Sequence, residues 1–158
     1  MIKRIKQYFD ANIRAAFEGQ ADEAADTQQA LQRATAALMI EVMEADREVT
    51  ADERQVVMAA LKKLFDLNTA EIEDLMALAQ AEVNASGSLF QFTKLVDQAF
   101  DNADKVKIVH LLWQISYADD DKDKFEEGLI RKIADLLHVS HSDFIRTRHL
   151  VETSLGKT

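Results

Sequence analysis

Apolar residues recur along this chain at spacings of three and four, the signature of helices with one buried face. Ile2, Ile5, Phe9, Ile13 and Phe17 form the first such stripe, predicting a helix over 2–17. Residues 18–28 (EGQADEAADTQ) are polar and carry no stripe, so they read as a linker or a frayed helix start. Leu31, Ala34, Leu38, Val42 and Ala45 then run in phase and predict a helix over 29–46. Further helices follow over 51–66 (Val56, Val57, Ala60, Leu61, Leu64, Phe65) and 69–83 (Ile72, Leu75, Met76, Ala79). The turn NASGS at 84–88 separates these from 89–100 (Leu89, Phe92, Leu95, Val96, Phe100). After DNAD at 101–104 come 104–118 (Val106, Val109, Leu112, Trp113, Ile115), 124–137 (Leu129, Ile130, Ile133, Leu136, Leu137) and 141–154 (Phe144, Ile145, His149, Leu150). No segment alternates with the period of a strand. The fold class expected is therefore all-α, a single domain of about eight helices.

The second half of the chain repeats the first. Residues 41–61 laid over 114–134 place Ala45-Asp46 on Ala118-Asp119, Glu48 on Asp121, Thr50 on Asp123, Glu53 on Glu126 and Val56-Val57 on Leu129-Ile130. The register then slips by one residue, and Leu64-Phe65 falls on Leu136-Leu137, Leu67 on Val139 and Ile72 on Phe144. Each half reads as helix, acidic loop, helix, short turn, helix, an internal duplication that predicts halves packed about a pseudo-twofold axis. The N-terminal helix and linker (1–28) stand outside it, and the duplicated domain runs over 29–158.

Composition supports this reading. The 158 residues include no proline and only four glycines, too few turn residues for a strand-rich fold. A chain of this length buries roughly 70% of its unfolded surface and needs no covalent staple. With no cysteine, disulfides, thiolate metal sites and thiol nucleophiles are excluded. The net charge of −9 repels a polyanion, so nucleic acid is not expected as a partner. A cation or a basic protein surface fits better. No apolar run approaches the ~20 residues that span a bilayer, and the start MIKRIKQYFDANIRAAF lacks the apolar core of a signal peptide.

The candidate chemistry lies in the two acidic loops. Thr50-x-x-Glu53 is a capping box, with Asp123-x-x-Glu126 its counterpart, and Asn68-x-x-Glu71 and Ser140-x-x-Asp143 repeat the device at the next helix starts. Capping thus explains Thr50, Glu53, Asp123 and Glu126 without a ligand. It leaves Asp46, Glu48, Asp119, Asp120 and Asp121, which lie ahead of the caps and repel one another. Two readings follow: a solvated acidic surface that faces a protein partner, or a divalent-cation site (calcium, magnesium, manganese or zinc) built from Asp46, Glu48, Glu53, Asp119, Asp121, Asp123 and Glu126. The second loop is not an EF-hand, because its sixth and twelfth positions from Asp119 are Lys124 and Ile130.

His138, His141 and Asp143 have a spacing that zinc accepts, although turn histidines more often face solvent or cap. His110 and His149 fall in apolar stripes and are expected to pack, as are the Trp113–Tyr117 pair and Met39, Met43, Met58 and Met76. Lys3, Arg4, Lys6 and Arg14 against Asp10 make the first helix basic, which permits peripheral contact with an anionic membrane, docking across the acidic body or packing as an ordinary first helix. No nucleophile–base set and no phosphate loop is present, and no enzymatic activity is expected.

At these loops the sequence resembles the tellurite-resistance TerB family over roughly residues 30–152. The resemblance rests on ALMIEVMEADREVTADERQVV in the first half and QISYADDDKDKFEEGLIRKIADLLHVSHSDFI in the second. Arg47 and Asp120 stand where the family usually has glycine. The resemblance implies an all-helical, non-enzymatic, bacterial cytoplasmic module linked to stress or tellurite resistance. It also implies that Asp46, Glu53, Asp119, Asp121 and Glu126 form the functional face.

Overall fold

A computed structural model of the chain describes residues 2–14, 24–46, 49–84, 90–118 and 124–156. Among these residues there are eight α-helices and no strand: α1 (Ile2–Phe9), α2 (Ala24–Ala45), α3 (Ala51–Phe65), α4 (Thr69–Asn84), α5 (Gln91–Ala99), α6 (Asn102–Ala118), α7 (Lys124–Leu136) and α8 (His141–Ser154). The all-α class and the helix count expected from the stripes are what the structure has.

Two long helices organise the core. Ala34 to Met43 of α2 are buried without interruption, so this helix is enclosed on all sides rather than along one face. It packs against α3 and α4 and, across the molecule, against α6 and α7. In the second half α6 packs in the same way against α7 and α8, and it also meets α3. Ile108, Val109, Leu112, Trp113 and Ile115 of α6 join Leu38, Met39, Ile40 and Met43 of α2 in one apolar core.

The second helix of each half ends alike. Asp66 and His138, which the repeat register superimposes, both lie in the left-handed region, with φ of 53° and 63°. Around His138 the termination is a Schellman motif: the Val139 amide bonds the Ala134 carbonyl at 2.9 Å and the His138 amide bonds that of Asp135 at 3.1 Å.

The structure departs from the expected elements in three places. The second helix starts at Ala24, five residues before the expected start at residue 29. The first helix gives way after Phe9 to a π turn over Asp10–Arg14. Its apolar residues Ile5, Phe9 and Ile13 recur every four positions, a step that overshoots a full α-turn by about 40°. The wider π turn takes up that drift and leaves all three buried in the common core. Finally, Val56, Leu64, His149 and Leu150 do not pack inward. Val57, Leu61 and Phe65 supply the buried face of α3, and Phe144, Thr147 and Val151 that of α8, which turns these neighbours to the surface.

Candidate functional site

The first acidic loop joins α2 to α3 and is held at both ends. On the α3 side, the Glu53 amide donates to Thr50 Oγ1 at 3.1 Å and the Thr50 amide donates to Glu53 Oε1 at 2.9 Å, the reciprocal capping box. On the α2 side, the Glu44 carboxylate pairs with Arg54 of α3 at 2.8 Å, its side chain only 6% exposed. Asp46, the first residue past α2, is exposed, as is Asp52 in the first turn of α3. Glu53 thus belongs to the cap and Asp46 to the surface, while Glu48 lies outside the described residues.

Asp119, Asp121 and Asp123 of the second loop, together with the Glu126 side chain, also lie outside the described residues. The helix ends that flank this loop are described, and an arginine ties them together here too. Arg148 of α8 donates to Glu127 of α7 and to the Tyr117 hydroxyl at the end of α6, both at 3.2 Å. Tyr117 in turn donates to Glu152 at 2.7 Å. The guanidinium lies 5.3 Å from the Trp113 ring centroid, and Trp113 and Tyr117 pack as the expected core pair at 6.2 Å.

The remaining candidates are dispersed. His138 bonds Asp97 of α5 at 3.1 Å, Asp143 pairs with Arg146 at 2.8 Å, and the His141 ring stacks on Phe144. Each has a separate contact, and among the described residues no group of three or more histidine or carboxylate side chains is placed to hold a metal ion. His110 lines an open groove of about 430 Å³ between α2 and α6, with Thr27, Gln28, Leu31, Lys107 and Leu111. Partial burial there lowers its pKa. Met39 and Met43 are fully buried, while Met58 and Met76 sit at the margin of the core.

Sequence reasoning missed a pair of buried carboxylates at the start of α5. That helix has no cap of its own: the residue before it, Phe90, is left-handed (φ 65°) and contributes no side-chain acceptor. The first amides of a helix need acceptors, and here they come from two other helices. Glu82 of α4 accepts from the Gln91 amide at 2.8 Å. Glu41 of α2 accepts from the Phe92 amide at 2.8 Å, the Thr93 amide at 3.0 Å and the Thr93 hydroxyl at 2.5 Å. Both carboxyl groups are buried, and they are hydrogen-bonded to each other. Two buried carboxylates this close repel one another, which favours keeping a proton on Glu41. Burial, reinforced by Glu82, pushes Glu41 up to about 8 against the opposing bonds from Thr93 and Phe92. The signal in the sequence was Glu41 itself, a lone charge inside the apolar run Leu38 to Met43.

The caps expected from short spacing are present where the residues are described. The Glu71 amide bonds Asn68 Oδ1 at 2.8 Å and the Asp143 amide bonds Ser140 Oγ at 3.1 Å. No curated protein and no solved structure matches the chain. The family model for the tellurite resistance protein TerB matches residues 32–149, from the first turns of α2 to the middle of α8 and across both acidic loops. With three-quarters of its length inside that match, the chain belongs to the TerB family.

Proposed function

We propose that the protein is a non-enzymatic interaction module of a bacterial stress or tellurite-resistance response, working in the cytoplasm, and that its acidic loops bind a basic surface on a protein partner. The observation that carries this reading is the fixed geometry of the first loop's ends. Glu44, Arg54, Thr50 and Glu53 are engaged with one another and fix the junction of α2 and α3. Asp46 and Asp52 stand at the surface of that fixed junction. Carboxylates held on a preformed turn lose little conformational freedom when a cationic surface meets them, which favours recognition. The chain's net charge of −9 steers a basic partner toward it.

The test is charge reversal. Asp46→Lys combined with Asp119→Lys and Asp121→Lys should abolish the cross-linking of partners to the chain in cells while leaving its thermal melt unchanged. Cross-linking that survives would remove the loops from the interface. The same melt, run on chelator-stripped protein with calcium, magnesium, manganese or zinc, decides the competing cation reading. A selective rise in melting temperature, lost with Asp119→Asn and Asp121→Asn, would replace the protein partner with an ion.

A further inference from the structure

The Glu41–Glu82 pair lies beneath α1. Phe92, whose amide Glu41 holds, has its ring against Phe9 (5.9 Å between centroids, edge-on) and Tyr8 (6.3 Å). Ile5 of the same helix closes a small cavity of about 20 Å³, room for a single water molecule. Glu41 is the polar residue on its wall, among Ala37, Leu75, Leu78, Ala79 and Phe92. Glu41 is thus covered on this side by the seat of the N-terminal helix, with Glu82 on the neighbouring amide of α5.

We infer that the Glu41–Glu82 pair is a proton-operated latch for α1: the helix stays seated while the pair keeps its shared proton and is released when that proton leaves. This rests on the pair's geometry and is independent of the loop reading. With the proton in place, one charge is spread over two carboxyl groups that accept three backbone amides at the positive end of α5. Without it, two like charges lie within hydrogen-bond distance among apolar side chains, an arrangement that demands water. The route for water is the cavity under Ile5, and admitting it means lifting α1.

The charged groups of the surrounding elements do not relieve that repulsion. Facing Glu41 from α4 is Glu82, and from α5 come backbone amides and the Thr93 hydroxyl. Tyr8 of α1 interacts with Arg33, Glu71 and Asp74 rather than with the pair. Glu44 on α2 is engaged by Arg54, Glu71 on α4 by Arg33, and Asp97 on α5 by Lys105 and His138. Lys94 and the α1 cations Arg4 and Lys6 are at the surface, and Lys132 of α7 lies over the Phe90 ring. A raised folded-state pKa contributes stability that is fully present below the ordinary carboxylate value and is lost as pH rises through the folded one, so the loss is complete above about pH 8.

The experiment is limited trypsin digestion of the full chain at Arg4 and Lys6, well below and well above about pH 8, with rates normalised to a peptide of residues 1–14. The normalised rate should rise with pH by up to about tenfold per unit as pH approaches about 8, and level off above it, as loss of one proton on opening requires. It should stay flat in Glu41→Gln and in Glu82→Gln, whose amides replace the proton as donor. A flat wild-type profile overturns the latch. So does a rise that persists in both variants, which would assign the titration to another group such as the chain's amino terminus. The infrared carbonyl band of a protonated, buried carboxyl provides a readout that needs no variant. It should be present in wild type at neutral pH and vanish as pH rises through about 8, where cleavage levels off, and its absence at neutral pH overturns the proposal.

Discussion

His138 and Asp97, 41 positions apart, are joined by a hydrogen bond of 3.1 Å that fastens the turn between α7 and α8 to α5. The same carboxylate oxygen also takes the Lys105 ammonium of α6 at 2.7 Å, so one side chain ties three elements together. His138 makes this contact from a left-handed backbone at the position where a Schellman motif usually places glycine. The contact offsets the conformational cost. Replacing His138 with glycine should therefore be nearly neutral, because relief of strain balances the lost bond. His138→Ala keeps the strain and loses the bond, and should be less stable than the glycine variant by about 1 kcal/mol. Urea midpoints compare the two, and equal midpoints would contradict the argument.

Asp97 also predicts behaviour in acid. Burial pushes its carboxyl up, but the bonds from Lys105 and His138 outweigh burial and hold it below the usual carboxylate range. A depressed pKa contributes stability that is present above the unfolded-state value and lost as pH falls through the folded one. Wild type should thus lose more melting temperature between neutral and acid pH than Asp97→Asn does. Parallel curves would show that the pair contributes nothing to the pH response.

Glu41 separates the cost of losing acceptors from the cost of a charge. Glu41→Ala strands two amides and a hydroxyl at the start of α5, and each unsatisfied buried group costs about 1–3 kcal/mol. Thermal unfolding should drop by ten degrees or more on the usual scale of roughly 2–4 °C per kcal/mol. Glu41→Gln retains an acceptor and can donate to Glu82, so its loss should be much smaller at neutral pH. Equal loss in the two variants would mean that the bonds to Phe92 and Thr93 do not stabilise the helix.

In the first loop, cap and surface can be told apart by substitution. Thr50→Ala removes the capping box and should cost about 1 kcal/mol. Glu53→Gln keeps an acceptor for the Thr50 amide and should leave both stability and partner binding intact. Asp46→Lys should leave stability intact and weaken binding. If Glu53→Gln weakens binding as strongly as Asp46→Lys, Glu53 belongs to the contact surface as well as to the cap.

Trp113 tests the centre of the second half. Its indole donates to the Phe144 carbonyl at 3.1 Å, which Thr147 Oγ1 also reaches at 2.9 Å. Trp113→Phe therefore strands no acceptor, and its cost is one bond plus lost packing, about 2 kcal/mol. Thr147→Val with Trp113→Phe should cost about the sum of the two single changes, because the Arg148 amide keeps the carbonyl partnered along α8 in every variant. A double-variant loss well beyond that sum in denaturant melts would show that the two side chains are the carbonyl's essential partners.

Much of the fold was legible because its rules are local. Stripes such as Val57, Leu61 and Phe65 mark helices by spacing alone, and the caps at Thr50, Asn68 and Ser140 lie three residues from the amides they serve. The start of α5 was not legible for the converse reason. Its acceptors lie 9 and 51 positions upstream, and nothing near Phe90 announces them. Periodicity also assigned too much to the core. It marks a face but not the width that neighbours cover, which is why Val56, Leu64 and Leu150 emerge at the surface. In the first acidic loop, spacing identified Thr50 and Glu53 as a capping box, and that box is formed.

The borrowed cap of α5 has a consequence for how the chain can be divided. Glu41 and Glu82 precede the midpoint region, and the amides they serve follow it. A fragment that ends before Gln91 would keep two carboxyl groups in an apolar interior with no helix to receive them. The complementary fragment would begin with a helix whose leading amides have no acceptor. Neither piece is a self-sufficient unit, so co-expressed fragments cut at this junction should be recovered only as a pair, with α5 ordering when they associate.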